Sequence, residues 1–320
     1  MKSQEKVTAF RNGEIKRNRG KGNMGMDACT LCPRMCGVNR AAGEKGYCGM
    51  DATIRAARAA LHMWEEPCIS GTQGSGAVFF SGCSLRCIFC QNFEIAEGNC
   101  AKEISGERLS EIFLELQEQG AANINLVTAA HYVPAVIESL KKAKAQGMDL
   151  PVIYNSSGYE RVETVQMLEA VVDVWLPDFK YMDSKLAFAY SRAKDYPEVA
   201  RAAIREMMKA AGTCAYDEDG YIQKGVIVRH LILPGHTKNS IAVLDELYGT
   251  YGDDLTISLM NQYTPLPQVW NIPDLNRRVT KREYEKVLDH ALDLGITQGF
   301  FQEGGTAKES FIPLFDYEGL

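Results

Sequence analysis

Seven of the chain's ten cysteines fall into two tight groups, and this clustering constrains the fold more than any other feature. Cys29, Cys32, Cys36 and Cys48 stand in CTLCPRMCGVNRAAGEKGYCG, and Cys83, Cys87 and Cys90 stand in SGCSLRCIFCQN. A buried structural cysteine behaves as a small hydrophobe and has no reason to sit beside another. Thiolates that share a metal must converge, which short loops with close spacings achieve. Ten cysteines among 320 residues are too sparse for a small disulfide scaffold. The N-terminus lacks the apolar core of an export signal, and no apolar run approaches the ~18 residues of a membrane span. The expectation is a cytoplasmic protein with no membrane partner, in a reducing compartment where clustered cysteines mean metal or redox chemistry.

Composition sets the class. With 46% AVILMFWYC and 24% DEKR the chain is an ordinary globular mix, and its net charge of −6 argues against a nucleic-acid partner. Residues 1–26 carry Lys2, Lys6, Arg11, Lys16, Arg17, Arg19 and Lys21 against Glu5 and Glu14 and read as a polar tail. Residues 27–75 read as a cysteine-rich N-terminal module followed by a connecting arm, with 53–64 as a strand or extended segment. From 76 to 303 short apolar strands alternate with amphipathic helices: strands at 77–81, 123–128, 151–156, 171–179, 225–233, 254–260 and near 299–303, with helices between them. Such βα repeats give a parallel sheet covered by helices. About six units are visible, short of the eight that close a barrel. The predicted fold is therefore α/β, a partial (β/α)6 TIM-like barrel with the N-terminal cysteine-rich module, and a doubly wound open sheet is second. Residues 304–320 form a C-terminal extension. In either fold the site lies at the C-terminal ends of the strands, where Thr128, Asn155, Ser156, Ser157, Asp178, His236 and Gln262 fall.

Cys83, Cys87 and Cys90 have the spacing C-x3-C-x2-C directly after the first of these strands. Three thiolates so close suit a [4Fe–4S] cube, which takes four ligands, so one iron would keep an open position unless Cys100 folds back. Phe89, between the last two cysteines, would shield the cluster. This motif, placed after the first strand of a partial barrel, resembles the radical S-adenosylmethionine (radical SAM) superfamily. The stretches GAVFFSGCSLRCIFCQN, NINLVTAAHYVP, YNSSGYE, LPDFKY, RHLILPGHT and ISLMNQYTP resemble its PflX-like branch, related to the pyruvate formate-lyase activating enzyme. The resemblance implies that the open iron chelates the amino and carboxylate groups of S-adenosylmethionine (AdoMet). One electron then cleaves the sulfonium to methionine and a 5′-deoxyadenosyl radical, which abstracts hydrogen from a substrate. No protein residue beyond the cluster ligands is implied as catalytic.

Activating enzymes carry a Gly-Gly-Glu stretch after the second strand to receive the AdoMet amino group; here Val127-Thr128-Ala129-Ala130-His131 stands instead. Thr128 is the candidate at that strand end. Asn155, Ser156 and Ser157 are candidates for ribose or carboxylate contacts, with turn chemistry before Gly158 as the plainer reading. Asp178 and Lys180 in LPDFK match the Asp-x-Lys of activating enzymes. Arg229 offers a bidentate carboxylate contact. On strand alternation Arg229 and His230 face opposite ways, one of them outward. His236 is a loop histidine able to face the site, and His62 and His290 read as surface or packing residues.

The first group, C-x2-C-x3-C-x11-C, supplies four thiolates and hence a closed site, either structural zinc or a second Fe–S cluster. Cys68, Cys100 and Cys214 read as packed thiols. The functional expectation is a radical SAM oxidoreductase whose substrate, by the activating-enzyme resemblance, is a protein glycine, served by an electron donor such as flavodoxin or ferredoxin. The alternatives are a radical maturase of another peptide, an RNA or a small molecule and, from a different class, a non-catalytic electron-transfer iron–sulfur protein.

Overall fold

The computed structural model describes residues 25–302 and 313–320. Of the predicted polar tail, residues 1–24 lie outside the described residues, as do 304–312 of the C-terminal extension and the last position of the 76–303 segment. The strands are β1 (Arg55–His62), β2 (Ser75–Phe80), β3 (Lys102–Glu103), β4 (Ile124–Val127), β5 (Val152–Ser156), β6 (Val174–Pro177), β7 (Ala215–Tyr216), β8 (Ile222–Leu231), β9 (Thr256–Met260) and β10 (Gly299–Phe301). The helices are α1 (Pro67–Ser70), α2 (Phe93–Ala96), α3 (Gly106–Glu118), α4 (Val133–Ala145), α5 (Val162–Leu168), α6 (Ser184–Ser191), α7 (Tyr196–Ala211), α8 (Thr237–Tyr251) and α9 (Lys281–Asp293).

Among the described residues the strands form one sheet in the order β10-β9-β8-β6-β5-β4-β2-β1-β3, with β7 beside β8. From β2 to β10 along that path the pairings are all parallel, and a helical crossover joins each strand to the next. The path does not close on itself, so the barrel is partial, as the βα count predicts. Every residue of β2, β4, β5, β6 and β9 is buried, because the sheet is covered on both faces. Helix α3 shows how the local sequence sets an element. Ser105 caps it by accepting from the Arg108 N–H, and Leu109, Ile112, Phe113 and Leu116 recur at helical spacing on its buried face.

Two features depart from the sequence expectation. The segment read as a strand or arm at 53–64 is β1, and it runs antiparallel to β2, so the sheet has a mixed edge. The predicted strand at 171–179 shortens to β6, because Val171 and Val172 complete the turn after α5, their N–H groups donating to Leu168 O. Residues 313–320 return to β1: Ala59 N donates to Glu318 O at 2.8 Å and Tyr317 N to Ala57 O at 3.0 Å. Arg58 pairs there with Asp316 at 2.7 Å and with Glu318. Among the described residues no helix is long and apolar enough to cross a membrane.

Candidate functional site

A cavity of about 220 Å³ opens at the C-terminal ends of the parallel strands. The loop after β2 brings Cys83, Cys87 and Cys90 to it, together with Phe89. Thr128 reaches it from the end of β4, Asn155, Ser156 and Ser157 from β5, Asp178 and Lys180 from β6, and Arg229 from β8. All ten residues expected at a cluster and AdoMet site therefore line one space, although they are spread over about half the chain.

The cysteine loop is firmly seated. Ser191 Oγ, at the end of α6, donates to Cys87 Sγ at 3.0 Å and is itself 2.7 Å from Tyr181 Oη. Leu85 N lies 3.4 Å from Cys83 Sγ. Burial pushes the Cys87 and Cys90 thiols up, and the nearby Lys180 ammonium opposes that rise. A thiol raised this way becomes a thiolate only with a positive centre such as iron beside it. Phe89 is buried edge-to-face against Tyr181, Tyr190 and Tyr263. Cys100 does not complete this set: its Sγ lies 3.0 Å from Phe315 O, away from the cavity lining. Gly82, just before Cys83, has φ +91°, and a Cβ there would meet Met50 Cγ at 2.4 Å and Cys48 O at 2.9 Å. Only glycine lets the strand end pass so close to the first cysteine module.

Charge in the cavity is organised around Arg229. Its Nη1 donates to Glu65 Oε2 at 3.0 Å, its Nη2 to Asn155 Oδ1 at 2.5 Å, and its Nε stands 3.4 Å from Asp178 Oδ1. Asn125 and Asn155 donate to the other Glu65 oxygen at 3.0 and 3.2 Å. Lys180 Nζ donates to Asp178 Oδ2 at 2.7 Å. Burial alone would push the Asp178 carboxyl up, but Lys180 and Arg229 outweigh it and hold the group below its usual range. Burial depresses the Lys180 ammonium, but Asp178 together with the Cys87 and Cys90 sulfurs raises it overall. Arg229 is thus held by Glu65 and Asn155 at the cavity wall, while its Nε, 3.4 Å from Asp178 Oδ1, makes no hydrogen bond. Both polar ends of Asn155 are taken as well. Ser156 Oγ and Ser157 Oγ accept from the N–H groups of Gly158 and Tyr159 at 3.2 and 3.4 Å, the turn chemistry that was the plainer reading for them.

The histidines divide differently from the expectation. One of Arg229 and His230 is expected to face outward, but Arg229 lines the cavity and His230 is fully buried, its Nδ1 bonded to Phe179 O at 2.7 Å. His236 bonds Tyr190 Oη at 2.8 Å and does not line the cavity. His62, read as surface or packing, packs edge-on against Phe79 and lines the cavity. His290 pairs with Asp245 at 2.7 Å near the surface.

Sequence reasoning missed Glu65 and Glu66. In MWEEP they look like ordinary loop charges; their one signal is two adjacent acids placed between a strand and a proline. Glu65 lines the cavity, and Glu66 lines an adjoining cavity of about 350 Å³ with Ser258 and Phe300. The first cysteine module was also read as separate, whereas Arg34 bonds Ser84 O at 2.9 Å and Ser191 O at 2.8 Å, on both sides of Cys87. Arg40, buried, bonds the carbonyls of Asp51 and His131.

Comparison with solved structures places this architecture. HydG, a maturase of the [FeFe]-hydrogenase, superimposes with a TM-score of 0.51 at 14% identity, over 72% of this chain and 52% of its own. The chain therefore shares its fold with HydG. SuiB of Streptococcus suis, solved with its precursor peptide SuiA, gives a TM-score of 0.45 at 14% identity, over 70% of this chain and 47% of its own. This chain thus spans about half the length of those two chains. An uncharacterized protein of Methanocaldococcus jannaschii is 29% identical over 270 residues, 82% of this chain and 74% of that one. No family model matches the sequence.

Proposed function

We propose that the protein is a radical SAM enzyme that cleaves AdoMet reductively at a [4Fe–4S] cluster held by Cys83, Cys87 and Cys90. The observation that carries this reading is the convergence of that three-thiol loop with the ends of β4, β5, β6 and β8 on one cavity. The donor set fits the group: three soft sulfurs on one loop, with the next cysteine, Cys100, committed elsewhere, leave one iron for an exchangeable ligand. When bound, the cluster supplies the electron that splits the sulfonium of AdoMet and so generates a 5′-deoxyadenosyl radical for hydrogen abstraction.

The chain's own residues supply position and electrostatics. Lys180, held by Asp178, stands beside the Cys87 and Cys90 sulfurs and offsets their negative charge. Thr128, Ser156 and Ser157 line the cavity. Glu65 and Asp178 supply the carboxylates of the cavity, in place of the acid that a Gly-Gly-Glu stretch would give after β4. Phe89 and its three tyrosine neighbours exclude water from the cysteine loop. We take the substrate to be a protein glycine, as the activating-enzyme resemblance implies, and the electron donor to be a flavodoxin or ferredoxin.

The test is anaerobic incubation of the reconstituted, reduced protein with AdoMet, followed by detection of 5′-deoxyadenosine. Wild type should produce it and Cys87→Ala should not. A wild type that stays silent although its cluster is demonstrably reduced sinks the reading in favour of a plain electron carrier. Deuterium transfer from a glycine-labelled candidate protein into 5′-deoxyadenosine would test the substrate class.

A further inference from the structure

We propose that the cavity adjoining the cysteine cavity is a substrate pocket for a cationic nitrogen group, an ammonium or guanidinium on an aliphatic stem such as a lysine or arginine side chain carries, and that Glu66 receives it. That the occupant belongs to a substrate rests on the radical SAM reading. That it is a cation rests on the pocket's own residues.

Strand register builds the pocket wall. Asp178 forms a parallel bridge with Arg229, Arg229 pairs with Ser258 of β9, and Ser258 pairs with Phe300 of β10. Neighbours in register on adjacent strands point to the same face of a sheet. The row from Asp178 to Phe300 therefore leads from the cysteine cavity into the second cavity of about 350 Å³. Glu65 and Arg229 line both, so the two spaces share a wall. A stem anchored at Glu66 leads the rest of its molecule toward the cysteines.

Glu66 is the unanswered group of this pocket. It is only 8% exposed, yet its Oε2 has no hydrogen-bond partner. Its backbone is fixed ahead of α1, where its carbonyl accepts from Ile69 N at 2.7 Å and Ser70 N at 3.1 Å. A buried polar atom without a partner is costly and uncommon. Burial pushes the Glu66 carboxyl up and Glu65 adds to the rise, while Arg229 and the Ser258 hydroxyl oppose it without cancelling it.

Charge balance selects the ligand. Among the described residues lining the two cavities, Glu65, Glu66 and Asp178 are the carboxylates, and Arg229 and Lys180 are the cations. Lys180 bonds Asp178 at 2.7 Å and Arg229 bonds Glu65 at 3.0 Å, so Glu66 is the acid left over. His62 is held down by burial at about 4 and adds no positive charge at neutral pH. A neutral N–H would satisfy the oxygen and leave its charge buried, and an anion would add to the excess. A cationic nitrogen does both tasks through a charge-assisted bond. Phe300, Phe301 and Met260 supply apolar wall for the stem that such a group carries. In the radical SAM reading the AdoMet amino group goes to iron and its sulfonium carries no N–H, so the cofactor leaves Glu66 unanswered.

The test is titration calorimetry on the full-length, cluster-loaded protein with AdoMet present. The probes are butylammonium, butylguanidinium, the uncharged butan-1-ol and the anionic butanoate. Wild type should bind the two cations about tenfold or more tighter than the alcohol, and butanoate more weakly still. Glu66→Gln should abolish that preference. Phe300→Ala, on the edge strand β10, should weaken both cations several-fold and serves if Glu66→Gln does not fold. Alcohol or butanoate binding as tightly as the cations in wild type would overturn the proposal, as would a preference left intact in Glu66→Gln or cation affinities left unchanged in Phe300→Ala. Cation selectivity in a protein that forms no 5′-deoxyadenosine would sink the radical SAM reading and leave the cation site standing. Formation of 5′-deoxyadenosine without cation selectivity would sink this proposal alone.

Discussion

Replacing Glu65 by Gln removes one charge from the most heavily bonded group in the cavity. Glu65 accepts from Arg229 at 3.0 Å, from Asn125 at 3.0 Å and from Asn155 at 3.2 Å. The glutamine amide keeps one accepting oxygen and turns an N–H donor toward either the guanidinium or the two asparagine amides, all of which are donors there. The ion-pair side chains are only 14% and 9% exposed, so water cannot replace the lost bond. A hydrogen bond to a charged group is worth about 1.5–3 kcal/mol, and a buried pair broken on one side costs about 3–5 kcal/mol. Equilibrium urea unfolding of the cofactor-free protein should therefore show Glu65→Gln destabilised by about 3–5 kcal/mol. Arg229→Met should cost a similar amount, because it orphans Glu65 and weakens the hold on Asp178. The double variant should fall short of the sum by more than about 2 kcal/mol, well beyond the ~0.5 kcal/mol scatter of independent sites. Additive costs, or a Glu65→Gln variant within about 1 kcal/mol of wild type, would show that this network does not brace the cavity.

Three further outcomes follow from the same geometry. In cluster-loaded protein Ser191→Ala should lower the midpoint potential by roughly 20–65 mV, the equivalent of about 0.5–1.5 kcal/mol, since its bond to Cys87 Sγ favours the more negative reduced state; an EPR-monitored redox titration reads the shift, and an unchanged or higher potential refutes it. Gly82→Ala, which drives a methyl into Met50 and the Cys48 carbonyl, should reduce iron uptake at the second cysteine group and lower the melting temperature, measured by iron assay and calorimetry. Burial holds His131 down at about 3 and His230 at about 4, against 6.5 for a free imidazole. Groups depressed in this way stabilise the fold above pH 6.5 and lose that contribution as the pH falls toward 4, so the urea midpoint should drop across this window. Nitrogen-15 NMR at pH 5 should show both rings neutral, His131 protonated on Nε2 facing Ser81 O and His230 on Nδ1 facing Phe179 O; charged rings at that pH would contradict the burial argument.

The sequence by itself determined the repeat and the sulfur loops. Apolar strands two-sidedly buried and helices with a single apolar stripe each carry their period in a short window, so β4 and α3 are legible without any knowledge of their neighbours. The C-x3-C-x2-C loop is legible for the same reason, since covalent spacing alone brings its thiols near one another. Tertiary structure decided the rest. Arg229 and Glu65 are 164 positions apart, Arg34 and Ser191 157 apart, and no local pattern foretells that either pair meets. Arg229 reads as a free clamp in its strand, and its bonds to Glu65 and Asn155 arise only when β5, β6 and the arm after β1 surround it. Glu65 reads as a solvated loop charge and becomes a buried acceptor for the same reason. Periodicity is a property of a segment's own backbone geometry, whereas hydrogen-bond partners across the sheet depend on how the segments pack, and that is fixed only by the assembled fold.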